Sequence, residues 1–331
     1  MSLNIAVTEQ EFHKAEKVFR TAASQGCFCV PAPAREEALA RFVREKAIRH
    51  VILGVERYSG PLYEALSCGA VVARFGVGHD GVDKGKATER KLLCTNTPGS
   101  LDASVAEHTI NLMLATARHT VALAGAVREG RWSPQIGSEL DGKTLVIVGC
   151  GAIGRRVAET AGLGFRMRVV GLQRPGARSN VTHENRGFAA LSTSYEEAVA
   201  GADYVSLHIP SVPETRHYLN RERLAPLTAT CQVINTGRGA LIDEGALFDA
   251  VSEGRLGGAA LDVFEREPYS PAVPGKDLRR LPQIIMTPHV SSSTREACER
   301  VARQCLANIQ SAERGAYLEM NLLNLEVVKK L

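Results

Sequence analysis

The chain has 331 residues, of which 44% are hydrophobic and 23% are charged, and its formal net charge is +4. This length suggests two domains, and the composition is that of a globular rather than a disordered protein. The charge is too small and too evenly spread to indicate a nucleic-acid partner, no apolar run is long enough to span a bilayer, and the N-terminus lacks the pattern of a signal peptide. We therefore expect a cytoplasmic protein with no nucleic-acid or membrane partner.

The eight cysteines do not have the spacing of a metal site. Cys27 and Cys29 form a C-x-C pair rather than the C-x2-C pair of a zinc ribbon, and no second pair accompanies them. Cys298 and Cys305 are two helical turns apart, a spacing typical of core packing. We expect buried thiols in a reducing compartment, with neither a metal nor a structural disulfide.

The first part of the chain alternates apolar strand-like runs with helical stretches, the pattern of a parallel sheet with crossover helices. Residues 104–124 then predict one long helix, opened by Ser104 and Glu107 at the spacing of a capping box. Because this helix is apolar on more than one side, we expect a second subunit to cover it and the protein to be a homodimer. The predicted strands of this part are residues 4–7, 27–30, 50–54 and 71–75.

The alternation resumes after residue 142 and continues to a final helix at residues 294–314. The whole pattern predicts an α/β protein with two doubly wound parallel-sheet domains. The predicted strands of this second part are residues 144–148, 168–172, 204–207, 231–235, 259–263 and 284–286.

A G-x-G-x-x-G sequence occupies residues 149–154, between a predicted strand and a helix predicted to begin at Arg155. Such a motif on its own can occur by chance. A strand before it and a helix after it are the context of a dinucleotide-binding turn. The first glycine permits the tight turn, the second lets the backbone approach a pyrophosphate, and the third lets helix and strand pack closely. Free N–H groups at the helix N-terminus would bind the phosphates. We therefore assign cofactor contacts to Gly149, Gly151, Ala152, Ile153 and Gly154.

Three further strands end in segments that carry an arginine, a carboxylate and a histidine. Ligands bind beyond the carboxyl ends of the strands in an open parallel sheet, so these segments should gather beside the nucleotide. Arg238 can hold a substrate carboxylate through two parallel N–H bonds. His289 can donate a proton to a substrate oxygen or accept one from a substrate hydroxyl group. Glu267 can pair with the imidazolium of His289 and favour its charged form. Each residue alone is an ordinary loop residue, and only their joint occurrence indicates a catalytic set.

With these segments taken together, the sequence resembles the D-isomer-specific 2-hydroxyacid dehydrogenase family over most of its length. The resemblance implies an NAD(P)-dependent oxidoreductase that moves a hydride between the nicotinamide and a small D-2-hydroxy or 2-oxo acid. It also supports Arg238 as substrate-carboxylate anchor, Glu267 as partner of the histidine and His289 as acid/base. The segments that carry it are residues 75–80, 96–99, 105–107, 149–154, 213–217, 234–239, 260–268 and 288–289.

The resemblance implies further contacts that the residues alone do not reveal. Backbone N–H groups of Val77 and Gly78 would bind the substrate carboxylate together with Arg238. Asp262 would orient the nicotinamide amide. The other expected cofactor contacts are Thr215, Thr236 and His289.

We predict a Rossmann-type nucleotide domain at residues 100–289, inserted in a flavodoxin-like substrate domain made of residues 1–99 and 290–331. The substrate stays open, with 3-phosphoglycerate, glycerate and glycolate among the candidate hydroxy acids. The alternative function is a dinucleotide-sensing binding protein or corepressor of the same fold, because fold alone does not determine activity.

Cofactor choice depends on the residues after the strand at 168–172. A dinucleotide fold normally places there an Asp or Glu that binds the ribose hydroxyls of NAD, whereas this chain has Gln173 followed by Arg174. Arg174 would hold a 2'-phosphate through charge-assisted bonds, with Arg178 and Ser179 in reach of the same loop. We therefore favour NADP over NAD. The alternative is that Arg174 points to solvent and both cofactors are accepted.

Overall fold

The computed structural model describes residues 3–176 and 186–331. The chain divides into two compact units, the first made of Met1–Leu101 and Ser292–Leu331 and the second of Asp102–Ser291. Each unit is built on one sheet whose strands all pair in parallel. This confirms the predicted fold class of two doubly wound α/β domains.

Within the described residues the strands are β1 (Leu3–Thr8), β2 (Cys27–Ala32), β3 (His50–Leu53), β4 (Val71–Arg74), β5 (Leu93–Thr95), β6 (Thr144–Val148), β7 (Arg168–Leu172), β8 (Ala190–Ser192), β9 (Tyr204–Leu207), β10 (Gln232–Asn235), β11 (Gly258–Leu261) and β12 (Ile284–Met286). The sequence predicted all of these except β5 and β8.

The α-helices of the described residues are α1 (Glu9–Lys14), α2 (Glu16–Thr21), α3 (Glu36–Glu45), α4 (Pro61–Ala65), α5 (Lys84–Glu89), α6 (Asp102–Ala117), α7 (Thr120–Arg128), α8 (Ala152–Glu159), α9 (Tyr195–Val199), α10 (Arg221–Leu224), α11 (Glu244–Ser252) and α12 (Arg295–Glu313). Short 3-10 helices lie at Ala22–Gln25, Pro213–Thr215, Gly239–Leu241, Leu278–Arg280, Tyr317–Glu319 and Leu325–Lys330, and a π-helical turn at Thr160–Gly164 follows α8.

The first unit has the strand order β2-β1-β3-β4-β5, which is the flavodoxin-like order. Successive side chains of a strand point to opposite faces, so Ile5 and Val7 of β1 enter one apolar core and Ala6 enters the other. Helix α12 completes the first of these cores with Val301 and Cys305.

The second unit has the strand order β12-β11-β10-β9-β6-β7-β8. Read from β8 to β11 this is the 3-2-1-4-5-6 order of a Rossmann fold, and the order reverses between β6 and β9. Both faces of β6 are buried, because Val146 and Val148 enter one core while Leu145 and Ile147 enter the other. A strand covered on both faces reads as a continuous apolar run, which explains why the sequence located β6 correctly.

The prediction of one helix over residues 104–124 is wrong. Helices α6 and α7 are separate and bent by 64°, and His119 between them has a left-handed backbone with φ 51°. The capping-box prediction is also wrong, since α6 begins at Asp102 and the Ser104 hydroxyl donates to the Ser291 carbonyl at 2.7 Å instead. Among the described residues no single helix is long and apolar enough to cross a membrane, and only the bent pair α6 and α7 together meets that length and composition.

Candidate active site

The carboxyl ends of the strands in the second unit are in register. Met286 of β12 pairs with Leu261, Leu261 with Asn235, and Asn235 with Leu207 of β9. Val148 of β6 pairs with Leu207 on one side and with Leu172 on the other. The next residue of each strand therefore belongs to one row along the sheet edge, where open parallel sheets bind ligands. This row consists of Thr287, Asp262, Thr236, His208, Gly149 and Gln173.

The glycine turn after β6 has the geometry that each glycine predicts. Gly149 has φ 100°, and a Cβ there would lie 2.5 Å from the His208 carbonyl oxygen. A Cβ on Gly154 would lie 2.2 Å from the Gly149 carbonyl oxygen. A Cβ on Gly151 would have no protein atom within 4 Å. The packing of the protein therefore does not require a glycine here, and the space beside it is open. Such a cradle, followed directly by a helix, fits a pyrophosphate.

Helix α8 starts at Ala152, three residues earlier than predicted, with Gly151 as its extended N-cap residue. No side chain caps this terminus. The first N–H groups of a helix have no partner within the helix and carry its positive dipole end. The N–H groups near Ala152 and Ile153 are therefore suited to bind phosphate oxygens, as the motif predicts.

Arg238 lies in a turn that Asn235 organises. The Asn235 side chain accepts a hydrogen bond from the Gly237 N–H at 3.0 Å and donates one to the Arg238 carbonyl at 2.9 Å. The Arg238 guanidinium is half-buried, and its Nη1 donates to the Gly237 carbonyl at 2.7 Å. The sequence predicted Asn235 only as a strand end, although an Asn side chain commonly bonds the backbone two residues further on and so supports a turn.

His289 and Glu267 form the predicted pair. His289 Nδ1 lies 2.7 Å from Glu267 Oε2, and the Phe264 N–H donates to Glu267 Oε1 at 3.0 Å. Burial raises the pKa of Glu267, but the hydrogen bond and charge of His289, the Phe264 N–H and Arg238 outweigh it and hold the pKa below its ordinary value. Glu267 is therefore an ionised partner that accepts a hydrogen bond from the imidazole and fixes its orientation.

His289 has a left-handed backbone with φ 53°, which costs about 1 to 3 kcal/mol for a residue other than glycine and is common at functional sites. Its N–H donates to the carbonyl of Asp262 at 2.8 Å and to that of Thr287 at 3.0 Å. The buried Asp262 carboxylate accepts from the Val290 N–H at 2.9 Å and from the Ser291 N–H at 2.8 Å. Asp262 thus holds the chain on both sides of His289, a role that the sequence did not predict.

The segment after β7 carries the two residues on which the cofactor prediction rests. The Gln173 N–H donates to the Ser192 carbonyl at 3.0 Å, and its side chain is half-buried. Arg174 is exposed and forms no ion pair with the residues that the structure describes. Arg178 and Ser179 lie outside the described residues.

The remaining predicted cofactor residues make local contacts. The Thr215 hydroxyl accepts from the Val212 N–H at 2.9 Å and donates to the Pro210 carbonyl at 2.7 Å, so it shapes its own loop. The buried Thr236 hydroxyl lies 3.0 Å from that of Thr109 on α6. His208, in the same row of strand ends, is not one of the predicted cofactor contacts. Its Nε2 lies 2.9 Å from Ser206 Oγ, and burial lowers the pKa of His208 to about 4, so its ring is neutral.

Val77 and Gly78 belong to the first unit, in the segment after β4. The carbonyl of Val77 accepts from the Asn96 side chain at 2.8 Å, and that of Gly76 accepts from the Thr97 N–H at 3.1 Å. Within residues 3–176 and 186–331, the N–H groups of Val77 and Gly78 have no acceptor. Two unpaired N–H groups in succession are a feature of anion-binding turns.

The family model for "D-isomer specific 2-hydroxyacid dehydrogenase, NAD binding domain" matches residues 110–291. A glyoxylate reductase of Pyrococcus furiosus is 36% identical over 286 residues, which are 83% of this chain and 81% of that protein. The TT0316 protein of Thermus thermophilus superposes with a TM-score of 0.83 at 34% identity, covering 97% of this chain and 100% of that one. An NADPH-dependent glyoxylate/hydroxypyruvate reductase of Sinorhizobium meliloti, solved with NADP and malonate, gives a TM-score of 0.77 at 27% identity over 94% of this chain and 93% of that one.

The chain belongs to the D-isomer-specific 2-hydroxyacid dehydrogenase family. It is an oxidoreductase that uses NAD(P) to transfer a hydride between the cofactor and a small 2-hydroxy or 2-oxo acid. The enzyme interpretation is therefore confirmed over the alternative of a dinucleotide-sensing protein.

Proposed function

We propose that the protein is an NADP-preferring reductase of glyoxylate and hydroxypyruvate. The observation that carries this proposal is the 2.7 Å contact between His289 Nδ1 and Glu267 Oε2, on segments that follow neighbouring strands. Such a pair supplies a positioned proton donor. The choice of small 2-oxo acids is supported by relatives that include glyoxylate and hydroxypyruvate reductases.

In the reducing direction each residue has one task. Arg238 binds the carboxylate of the 2-oxo acid and polarises the carbonyl that is reduced. When bound, the nicotinamide would supply the hydride. His289 donates its Nε2 proton to the developing alkoxide oxygen, while Glu267 at Nδ1 stabilises the imidazolium before the transfer.

The NADP preference rests on Gln173 and Arg174. No carboxylate stands at Gln173 to repel a 2'-phosphate, and the exposed Arg174 guanidinium is available to bind one. The remaining proposed cofactor ligands are the N–H groups of the glycine turn together with Thr215, Thr236 and Asp262. Asp262 retains capacity for the nicotinamide amide, because a carboxylate has about four acceptor sites and Thr287, Val290 and Ser291 use three.

The function is tested by initial rates with glyoxylate, hydroxypyruvate, pyruvate and phosphohydroxypyruvate, each with NADPH and with NADH. We expect the highest kcat/KM for glyoxylate or hydroxypyruvate with NADPH. Arg174→Ala should cost the NADPH reaction about 1.5 to 3 kcal/mol, the usual contribution of hydrogen bonds to charged groups, and should leave the NADH reaction nearly unchanged. Arg166→Ala, at an exposed arginine paired with Asp141, is the matched control. Equal losses with both cofactors would contradict the proposed role of Arg174.

We also propose a homodimer, whose interface lies at α7 rather than along the single helix predicted over residues 104–124. Ile110, Leu112 and Met113 of α6 are buried by the chain itself, whereas no residue of α7 is buried. The segment after α7 exposes Trp132 by 86% and Ile136 by 97%. Exposed apolar residues grouped in this way are typical of a protein interface. Sedimentation should show a dimer at micromolar concentration, and a stable monomer would exclude it.

A cytoplasmic location is the last part of the proposal. All eight cysteines are free thiols, and Cys27, Cys94, Cys231, Cys298 and Cys305 are buried. Free thiols are typical of reducing compartments. Fractionation of the producing cells, with the chain detected by antibody, tests this location.

A further inference from the structure

His108 on α6 is a further histidine at the edge of the proposed site, and no part of the reaction described above uses it. Its side chain is 18% exposed, and its Nε2 lies 3.2 Å from Thr287 Oγ1 and 3.7 Å from Asp262 Oδ1. Thr287 and Asp262 stand next to each other in the row at the strand ends. His108 therefore contacts Thr287, the first residue of the segment that carries His289, and Asp262, whose carboxylate holds that segment.

The hydrogen-bond direction at Thr287 follows from proton counting. Its hydroxyl has one proton, and it donates that proton to Asp262 Oδ1 at 2.6 Å, because a carboxylate only accepts. Thr287 Oγ1 can then only accept from His108. The His108 ring must carry its proton on Nε2, which gives a directed chain from His108 through Thr287 to Asp262.

The Asp262 carboxylate at the end of this chain fixes the backbone around His289. It is fully buried and accepts the N–H groups of Val290 and Ser291, the two residues that follow His289. A residue other than glycine keeps a strained left-handed backbone only where the surrounding contacts hold it there. Rotation of the Asp262 carboxylate would release both N–H groups, and the Thr287 bond opposes that rotation.

Helix α6 holds the same segment at a second point. Ser104 lies four residues before His108, so both side chains are on one face of the helix. The Ser104 hydroxyl donates to the Ser291 carbonyl at 2.7 Å. Thus α6 binds the segment at both of its ends, at Thr287 through His108 and at Ser291 through Ser104.

We propose that His108 is a positioning residue for the reaction, which acts through Thr287 and Asp262 to hold His289 in its proton-donating geometry. This inference rests on the acid/base role proposed for His289. A misplacement of about 1 Å in a reacting group is enough to lower a rate about one hundredfold. His108 therefore contributes to kcat without touching substrate.

The kinetic test compares His108→Leu, which removes the donor, with His108→Gln, whose amide nitrogen replaces Nε2. We expect the leucine variant to lose about ten- to one hundredfold in kcat with less than about threefold change in the dissociation constant of NADPH, and the glutamine variant to recover most of the loss. Glu107→Gln, at the exposed neighbouring residue of α6, is the control and should behave as wild type.

A double-mutant cycle separates the hydrogen-bond chain from simple packing. Thr287→Val removes the only hydroxyl through which His108 acts, so His108→Leu should cause no further loss of kcat in that background. If the losses in kcat of the two single variants multiplied in the double variant, the inference would be overturned. Wild-type kcat in His108→Leu together with an inactive His289→Ala would also overturn it and leave the proposed function standing, whereas an active His289→Ala would refute the acid/base role itself.

The His108 tautomer can be measured in wild-type protein without cofactor, and so does not depend on the folding of a variant. In protein labelled with 15N-histidine, the His108 ring should show the Nε2–H tautomer. The Val290 and Ser291 amide protons should exchange faster with solvent in His108→Leu than in Glu107→Gln. A wild-type His108 ring that carries its proton on Nδ1 alone contradicts the proposed chain.

Discussion

Two tight turns at the same sheet edge reach unusual backbone conformations by different means. The turn after β6 uses Gly149, whose φ of 100° has no side-chain penalty, and it is shaped by the absence of Cβ atoms. The segment after β12 places His289, a residue with a full side chain, at φ 53°. There the conformation is held by hydrogen bonds to Asp262 rather than permitted by a missing side chain.

The difference explains why one turn is visible in the sequence and the other is not. Glycines at fixed spacing form a pattern that can be read along the chain. The bonds that hold His289 come from Asp262, 27 residues earlier, and from a helix nearer the N-terminus. Substitutions in the first turn should therefore act through steric overlap, and those in the second through the chemistry of the side chains that it presents.

The largest effect is expected for Gly154→Ala. Its Cβ would lie 2.2 Å from the Gly149 carbonyl oxygen, and neither backbone segment can move without displacing β6 from α8. We expect a loss of about 3 kcal/mol or more in the free energy of unfolding, at the upper end of overpacking costs. Thermal unfolding of the protein without cofactor measures it. A wild-type Tm would mean that the turn relaxes more easily than its geometry suggests.

His289→Ala should lower kcat by about two to four powers of ten, the usual contribution of general acid-base catalysis. Folding should be retained in cofactor-free protein, because alanine removes the contact with Glu267 but leaves the bonds from Asp262 that hold the backbone of the segment. Steady-state rates with glyoxylate and circular dichroism measure the two quantities. Near-normal turnover would refute the assignment.

Gly151→Ala should separate binding from folding within the glycine turn. A Cβ at this position meets no protein atom within 4 Å, so the Tm should match wild type. The same methyl group would occupy the space for the pyrophosphate, and we expect NADPH affinity to fall by roughly ten- to one hundredfold through lost phosphate bonds. Fluorescence titration gives the dissociation constant. Unchanged affinity would place the pyrophosphate elsewhere.

The smallest effect concerns pH. Since the pKa of Glu267 is held below its ordinary value, its carboxylate stays ionised across the working range and places a negative charge beside the proton donor. Glu267→Gln removes that charge, so the pH at which 2-oxo acid reduction declines should fall, while the enzyme stays active. Rate profiles spanning the neutral range, from mildly acidic to mildly basic buffer, are the measurement. A shift of this decline to higher pH would contradict the effect assigned to the Glu267 charge.

The sequence predicted the buried strands well because both faces of most of them are covered, which leaves continuous apolar runs such as residues 144–148. It missed β5 and β8, which have three residues each and lie at sheet edges. It joined α6 and α7 because the break at His119 carries no glycine or proline. In the site, Arg238, Glu267 and His289 follow strands and were found, whereas Asn235, His108 and the backbone role of Asp262 depend on contacts that no local pattern encodes.

The insertion of one unit within the other affects the order in which the chain can fold during synthesis. The first unit needs Val301 and Cys305 of α12 to cover Phe12 and Phe19, yet the 190 residues 102–291 are made in between. At about 5 to 20 residues per second this interval lasts about 10 to 40 s. The nucleotide-binding unit is complete before the N-terminal phenylalanines are covered, so the emerging N-terminal segment is a natural client for chaperones that bind exposed apolar chain.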